Sequence, residues 1–385
     1  MKIISFIIFF SIAIAVYSSI NFYIYKRAFA VIPHDSPYRT TLVVIFIFIV
    51  LSYIAGRIIE RYSITVFSDA LIWIGSFWIA FMFYFLLFFL LIDLLRLVNH
   101  LTGFFPDFIT SNIEKTKQIT AIVILSLVTL TVVLGHINTK FPVIRKLNLT
   151  INKQVVGIDE LRVAVVSDIH LGTIIGKNHA RKVVDKINSL NPDIILMPGD
   201  IIDEDIAPVL NDNICEELMR LKSKYGVYAV TGNHEYIGGV RAAVEYLGKN
   251  KINIISDTSV TIDNKFILVG REDRAISQFT EGKRIPLNKI MMNVDTALPV
   301  ILMDHQPFGL NEAEANGIDL QLSGHTHHGQ LWPLNFITSK IYELSWGYMQ
   351  KGNTHYYVSC GVGGWGPPIR TVSRPEIVEI NLKFD

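Results

Sequence analysis

Cysteine is scarce. The 385-residue chain carries two, Cys215 and Cys360, with neither metal-binding nor redox spacing. Two thiols build no disulfide framework, so cysteine usage leaves the compartment open. Net charge is nearly absent as well. Lys and Arg number 35 against 34 Asp and Glu, which implies no general affinity for nucleic acid. The N-terminus lacks the small-residue cleavage site that would make its first apolar stretch a removable signal peptide. One long run, LIWIGSFWIAFMFYFLLFFLLI, contains no charge at all. It is apolar on every face, which excludes a surface helix of a soluble domain.

Apolar residues are abundant, at 50% of the chain with a mean hydropathy of +0.38. The excess sits before residue 140, and the remainder is globular in composition. A span needs ~20 apolar residues. Residues 3–25, 41–59, 70–95 and 119–136 meet that need, which predicts a transmembrane region of four helices over 1–137 in an integral, multi-pass membrane protein. Asp93 and Arg96 fall near the end of the third stretch, where snorkelling suffices, so the region reads as an anchor and not as a transporter. Four crossings leave both termini on one side. Basic residues flank both sides, and the pair Lys26-Arg27 after the first stretch leans towards a C-terminal half outside the cytoplasm. Residues 138–154 read as a linker.

From residue 155 to 385 the pattern becomes one of short apolar runs and amphipathic segments. Strands are expected at 163–166, 194–197, 227–230, 252–255, 260–262, 266–269, 300–303, 320–322, 356–359 and 377–382, and helices at 178–190, 214–224 and 240–249. The order predicts an α/β domain, with a second, mixed sheet built from the later hairpins. Several strands end in polar clusters: Asp168-Ile169-His170, Gly199-Asp200, Gly232-Asn233-His234-Glu235, Asp304-His305 and Gly324-His325-Thr326-His327. Ligand sites of open α/β sheets gather at that carboxyl edge.

Asp168, His170, Asp200, Asn233, His305, His325 and His327 offer imidazole, carboxylate and amide donors without a thiolate. That argues against a structural zinc site. The set is too large for one ion with an open position. It suits two divalent ions about 3.5–4 Å apart that share a carboxylate. Imidazole with oxygen donors fits Mn, Fe or Zn.

These motifs, in this order, resemble the signature of calcineurin-like metallophosphoesterases. The tail Ser359-Cys360-Gly361-Val362-Gly363, with Pro367, Arg370 and Arg374-Pro375-Glu376, resembles the branch of membrane-associated bacterial phosphodiesterases. The resemblance covers roughly 155–385 and implies a four-layered α/β/β/α sandwich with metals at its edge. It implies that Asp168, His170 and His327 bind one metal, that Asn233, His305 and His325 bind the other, and that Asp200 bridges them. It makes His234 the group that contacts the scissile phosphate. Glu235, where many relatives carry Asp, is the expected orienting partner of that imidazole. His328, where relatives usually carry Gly, and Arg370 are expected substrate-binding residues.

The expectation is a membrane-anchored, metal-dependent phosphoesterase acting on a phosphodiester or pyrophosphate bond. The tether suits a lipid or envelope precursor as the phosphate-ester substrate, because a bilayer-bound enzyme meets such molecules at high effective concentration. The alternatives are a phosphomonoesterase or nucleotide hydrolase, and a metal-binding membrane sensor without turnover. Asp203 and Asp205 read as loop acids, and Arg271 and Arg274 either bind phosphate or lie in a solvated loop. Trp332, Phe336, Trp346, Tyr348 and Trp365 either form an apolar lip or pack under long loops. The sequence fixes no oligomeric state.

Overall fold

The computed structural model describes the backbone of residues 2–385, and all side chains except those of residues 2–6 and Phe9. It divides into two units, 1–134 and 135–385.

Among the described residues, three helices are long and apolar enough to cross a membrane: Arg39–Tyr62, Val66–Thr102 and Ile113–Thr139. The first expected crossing falls on the helix Lys2–Ala28, part of which lies outside the described side chains. Val66–Thr102 starts on a capping box. The Thr65 hydroxyl accepts from Ser68 N at 3.1 Å, and Thr65 N donates back to Ser68 Oγ at 2.9 Å. The few polar side chains in this unit find one another. Trp78 Nε1 donates to Asn21 Oδ1 at 2.9 Å. Asp93 accepts from the Tyr23 hydroxyl at 2.6 Å and pairs with Arg27, as a charge at the end of an apolar helix requires.

The second unit contains two six-stranded sheets. The strands are β1 (Val143–Ile151), β2 (Glu160–Val165), β3 (Ile194–Pro198), β4 (Val227–Val230), β5 (Asn253–Ile254), β6 (Thr258–Ile262), β7 (Phe266–Gly270), β8 (Val300–Met303), β9 (Leu320–Ser323), β10 (Gly347–Lys351), β11 (Thr354–Val358) and β12 (Glu376–Phe384). One sheet runs β1-β12-β2-β3-β4-β5 and the other β10-β11-β9-β8-β7-β6. Both are mixed. β2, β3, β4 and β5 pair in parallel, as do β7, β8, β9 and β11.

Side-chain alternation assigns the layers. Val163 and Val165 of β2 join Ile194, Leu196, Leu268, Ile301 and Leu322 in the core between the sheets. Their neighbours Ala164 and Val166 face the other way, onto Ala180, Val183, Val184 and Ile187 of the helix Lys177–Asn188. The helical spacing of those four presents one apolar stripe. Ile267, Val269, Val300 and Leu302 form a third core with Leu287, Met291 and Leu310 on the far side of the second sheet. Three cores between successive layers make the α/β/β/α sandwich. Strands buried on both faces explain the near-continuous Val and Ile runs.

The expected linker is partly structure. Residues Val143–Ile151 pair in parallel with β12 along their whole length. The expected helix at 214–224 is instead a 3-10 helix, Ile214–Arg220.

Candidate metal centre

The loops that follow β2, β3, β4, β8 and β9 meet beyond the carboxyl ends of strands from both sheets. They meet in strained backbone. Asp168 and His170 have φ 53°, Asp200 φ 52°, His325 φ 71° and His327 φ 46°. Left-handed conformations of this kind cost of order 1 kcal/mol or more each and persist where the surroundings over-determine them. The convergence of Asp168 and His170 is therefore a product of turn geometry, not of an extended chain. Space is equally tight. A Cβ at Gly232 would lie 2.1 Å from Asp200 Oδ1, and one at Gly324 would lie 2.0 Å from Ser167 Oγ and 2.2 Å from Asp168 Oδ2. Only glycine passes at both points.

Two groups of donors result. In the first, His170 Nε2 lies 3.0 Å from His327 Nε2, which lies 3.4 Å from Asp168 Oδ1. In the second, Asn233 Oδ1 lies 2.7 Å from His325 Nδ1 and 3.3 Å from His305 Nε2. Asp200 Oδ2 stands between them, 3.0 Å from His305 Nε2 and 3.9 Å from His170 Nε2. Asp168, His170, Asp200, His305 and His327 are all buried. Asp168, His170 and His327, and likewise Asp200, His305 and His325, bring their ligand atoms within 4.8 Å of one another.

The site fits divalent cations on its own chemistry. Asp168 Oδ2 is buried without a hydrogen-bond partner, a costly state that a cation would relieve. His305 Nδ1 lies 2.7 Å from the Pro198 carbonyl, which fixes the proton there and leaves the Nε2 lone pair for a metal. His170 Nδ1 faces Asp203 Oδ1 at 3.5 Å without a hydrogen bond. The charges are strongly interdependent. Burial opposes ionisation of Asp200, but His305 beside it holds its carboxyl well below the usual range. Burial likewise opposes a charge on His305, and the Asp200 carboxylate outweighs it, so the imidazole titrates well above its usual value. His325 is drawn down to about 3 by burial and by the neighbouring His305.

His234 is positioned by two carboxylates. Its backbone N–H donates to Asp200 Oδ1 at 2.9 Å, and its Nδ1 lies 3.0 Å from Asp203 Oδ1. Burial works against a charged ring, yet the Asp203 hydrogen bond and the Asp200 charge push the imidazole up to about 9. Its ring also meets that of His170 edge-on, with centroids 4.5 Å apart.

Several residues have partners other than those expected. Glu235 does not orient His234. Its carboxylate accepts the backbone N–H groups of Gly232, Ile201 and Ile202 at 2.7, 2.7 and 2.9 Å, pinning two ligand loops together. The orienting acid is Asp203, read from the sequence as a loop residue. The bridge between Leu171 and Ile202 lays the two loops side by side and brings Asp203 to both His170 and His234. The Asp three places after Gly199-Asp200 was the available signal. Arg370 does not face a substrate. It is 1% exposed, and its guanidinium donates to the carbonyls of Cys360 and Gly363 and to Ser373 Oγ, with Nη2 3.0 Å from His327 Nδ1. His328, half-buried, engages Ser345 Oγ through Nδ1 at 3.0 Å and packs on the Trp346 ring. Arg271 is likewise buried, bonded to Glu312 and the Ile285 carbonyl.

The sequence profile of the calcineurin-like phosphoesterases matches residues 161–329, the segment that carries every donor described above. A metallophosphoesterase of Aquifex aeolicus is 31% identical over 257 residues, covering 65% of this chain and 95% of that protein. A metallophosphoesterase of Helicobacter pylori strain J99 is 32% identical over 225 residues, 58% of this chain and 60% of that one. A zebrafish (Danio rerio) protein named as a transmembrane protein with metallophosphoesterase domain is 30% identical over 253 residues, 63% and 57% respectively. The chain belongs to the calcineurin-like metallophosphoesterase family. With its apolar helices it is a membrane protein of that family, and the family's chemistry is phosphoester hydrolysis with divalent metals. The chain spans 60% and 57% of the length of the Helicobacter and zebrafish relatives.

Proposed function

We propose that this protein is a multi-pass, membrane-anchored phosphoesterase that uses two divalent ions, Mn, Fe or Zn, to hydrolyse a phosphodiester or pyrophosphate bond. A lipid or envelope precursor would be its substrate, and the Lys26-Arg27 pair leans towards a hydrolase half outside the cytoplasm. Asp168, His170 and His327 would hold one ion, Asn233, His305 and His325 the other, and Asp200 both. The observation that carries the reading is the position of Asp200 Oδ2, within 3.0 Å of His305 and 3.9 Å of His170, where one carboxylate oxygen faces both donor groups. Divalent ions bound there would neutralise phosphate charge and lower the pKa of an attacking water.

The chain's own residues supply the rest. Asp203, 3.0 Å from Nδ1, fixes the ring of His234 and holds the proton on that nitrogen. That leaves Nε2, once protonated, as the donor for the oxygen that leaves phosphorus, within the reach general acid catalysis needs. Burial of Asp168, Asp200 and His305 keeps the donors desolvated, which strengthens their hold on a cation.

The test is release of p-nitrophenol from bis-p-nitrophenyl phosphate by the purified full chain with manganese. The mono-ester of the same alcohol separates diesterase from monoesterase. Asp200→Asn should abolish turnover and lower bound metal. His234→Ala should lower turnover about 10²-fold or more with metal retained. Unchanged turnover in both variants would sink the reading.

A further inference from the structure

Between the ligand turn of His325 and His327 and strand β10, the chain makes the helix Asn335–Ile341. Its apolar side chains point outwards. Phe336, Ile337 and Ile341 are 60%, 55% and 58% exposed, and Trp332 and Trp365 beside them in the loops are 55% and 52% exposed. Positions 336, 337, 340 and 341 recur at helical spacing and so share one face. The fourth member is the exposed Lys340. A face of large apolar side chains with a lysine among them is unusual on a surface that meets only water.

The hydrogen bonds say what lies beside it. Trp332 N–H donates to Thr371 Oγ1 at 2.8 Å, and Gln330 Nε2 donates to the Trp365 and Pro367 carbonyls. The loop that carries these contacts is bonded to the last turn of the helix Ile113–Thr139. Arg370 N–H donates to Gly135 O at 3.0 Å, Asn138 Nδ2 donates to the Arg370 and Ser373 carbonyls at 3.0 Å, and His136 Nδ1 lies 2.7 Å from Pro368 O. That helix is one of the three that qualify as membrane spans. The apolar face is therefore linked, through Thr371 and Arg370, to residues 135–138. The segment that follows the helix touches the ligand turn. The Tyr342 ring stands 6.1 Å from that of His325, and Thr326 Oγ1 donates to Ser345 O.

We propose that Trp332, Phe336, Ile337, Ile341 and Trp365 form an interfacial face that seats the rim of the metal centre on the lipid surface from which the last span emerges. Tryptophan prefers the head-group region, apolar helix faces bury shallowly at the acyl boundary, and a lysine on the same face pairs with lipid phosphates. The occupant is the bilayer that holds the chain, because the loop beside the face is bonded to residues 135–138, the end of a helix apolar and long enough to span it. A phosphate ester carried on a lipid then meets the donor cluster without leaving the membrane.

The face can be read without turnover. Cys215 and Cys360 are both buried, so a cysteine introduced into the full chain takes a fluorescent label selectively. Phe336→Cys, Trp365→Cys and, as a control on the second sheet's outer helix, Met292→Cys, 79% exposed, are labelled in nanodiscs of phosphatidylcholine and phosphatidylglycerol. Doxyl-labelled lipid should remove roughly half of the emission at 336 and 365 and little at 292. Equal quenching at all three positions would overturn the proposal. So would energy transfer between two labelled copies at 336, which would assign the face to a second chain. Under the hydrolase reading, Phe336→Asp should slow release from a lipid phosphodiester about tenfold and leave bis-p-nitrophenyl phosphate untouched. Loss on both substrates, or on neither, would detach the face from catalysis while leaving the hydrolase reading intact.

Discussion

Asp203 and Arg370 show how much of a metal centre lies outside its ligands. Asp203 lies 3.0 Å from His234 Nδ1 and 3.5 Å from His170 Nδ1, so its removal touches both the proposed acid and a proposed metal ligand. Asp203→Asn is expected to lower turnover about 10–100-fold, by more than it lowers bound metal. Metal analysis beside the rate measurement checks it, since an effect through His170 alone would lower both in step. Arg370 backs His327 and caps two buried carbonyls. Lysine cannot reproduce that fork, so Arg370→Lys should weaken metal retention about tenfold or more, read by competition with a chelator. His179 sits in the first turn of the helix Lys177–Asn188, with Nε2 buried and unpartnered. Burial, with Lys140 nearby, pulls it down to about 4 from 6.5. A depressed histidine favours the folded state while neutral. Its contribution is present above 6.5 and lost as pH falls towards 4, by up to about 3 kcal/mol. Amide exchange of that helix should speed up across this window, and His179→Asn should flatten the response. The donors themselves were legible because each sits in a short motif whose chemistry is local. Asp203 and Arg370 were not, because their roles exist only once separate loops are brought into contact.

At the level of elements, the strands that end at the site were legible from β-branched runs closed by Gly and Asp. β1 was missed although Leu147, Leu149 and Ile151 alternate with Asn148 and Thr150. A single alternating segment next to an apolar helix does not announce a partner, and its partner β12 lies more than two hundred residues on. Leu149 is 6% exposed and packs in the core between the sheets. Leu149→Ala should cost about 2–4 kcal/mol, visible as a lower melting temperature. If residues 143–151 were a loose connection, the substitution would be silent. The 3-10 helix at Ile214–Arg220 replaces an expected α-helix because the segment is fixed from both sides. Arg181 and Arg220 hold Glu217, and Cys215 and Leu218 enter the core. Tertiary contacts override weak local preference there.

For the whole molecule, two units of opposite character follow from composition alone, and the layered order of the second follows from strands buried on both faces. The donor cluster leaves buried charge that the fold balances only internally. Divalent ions should therefore stabilise the second unit, by roughly 2.7 kcal/mol at a hundredfold excess over the dissociation constant. Melting should move down on chelation and back up with manganese, and Asp200→Asn should blunt the shift.

Between Thr139, the end of the last long helix, and Val143, the start of β1, lie only Lys140, Phe141 and Pro142, and Arg374 Nη2 grips the Phe141 carbonyl. Such a leash reaches about 10 Å at most. Under the proposed reading, an enzyme on so short a tether would draw its esters from the lipid surface, and a flexible insertion after Thr139 should widen the range of soluble esters it hydrolyses.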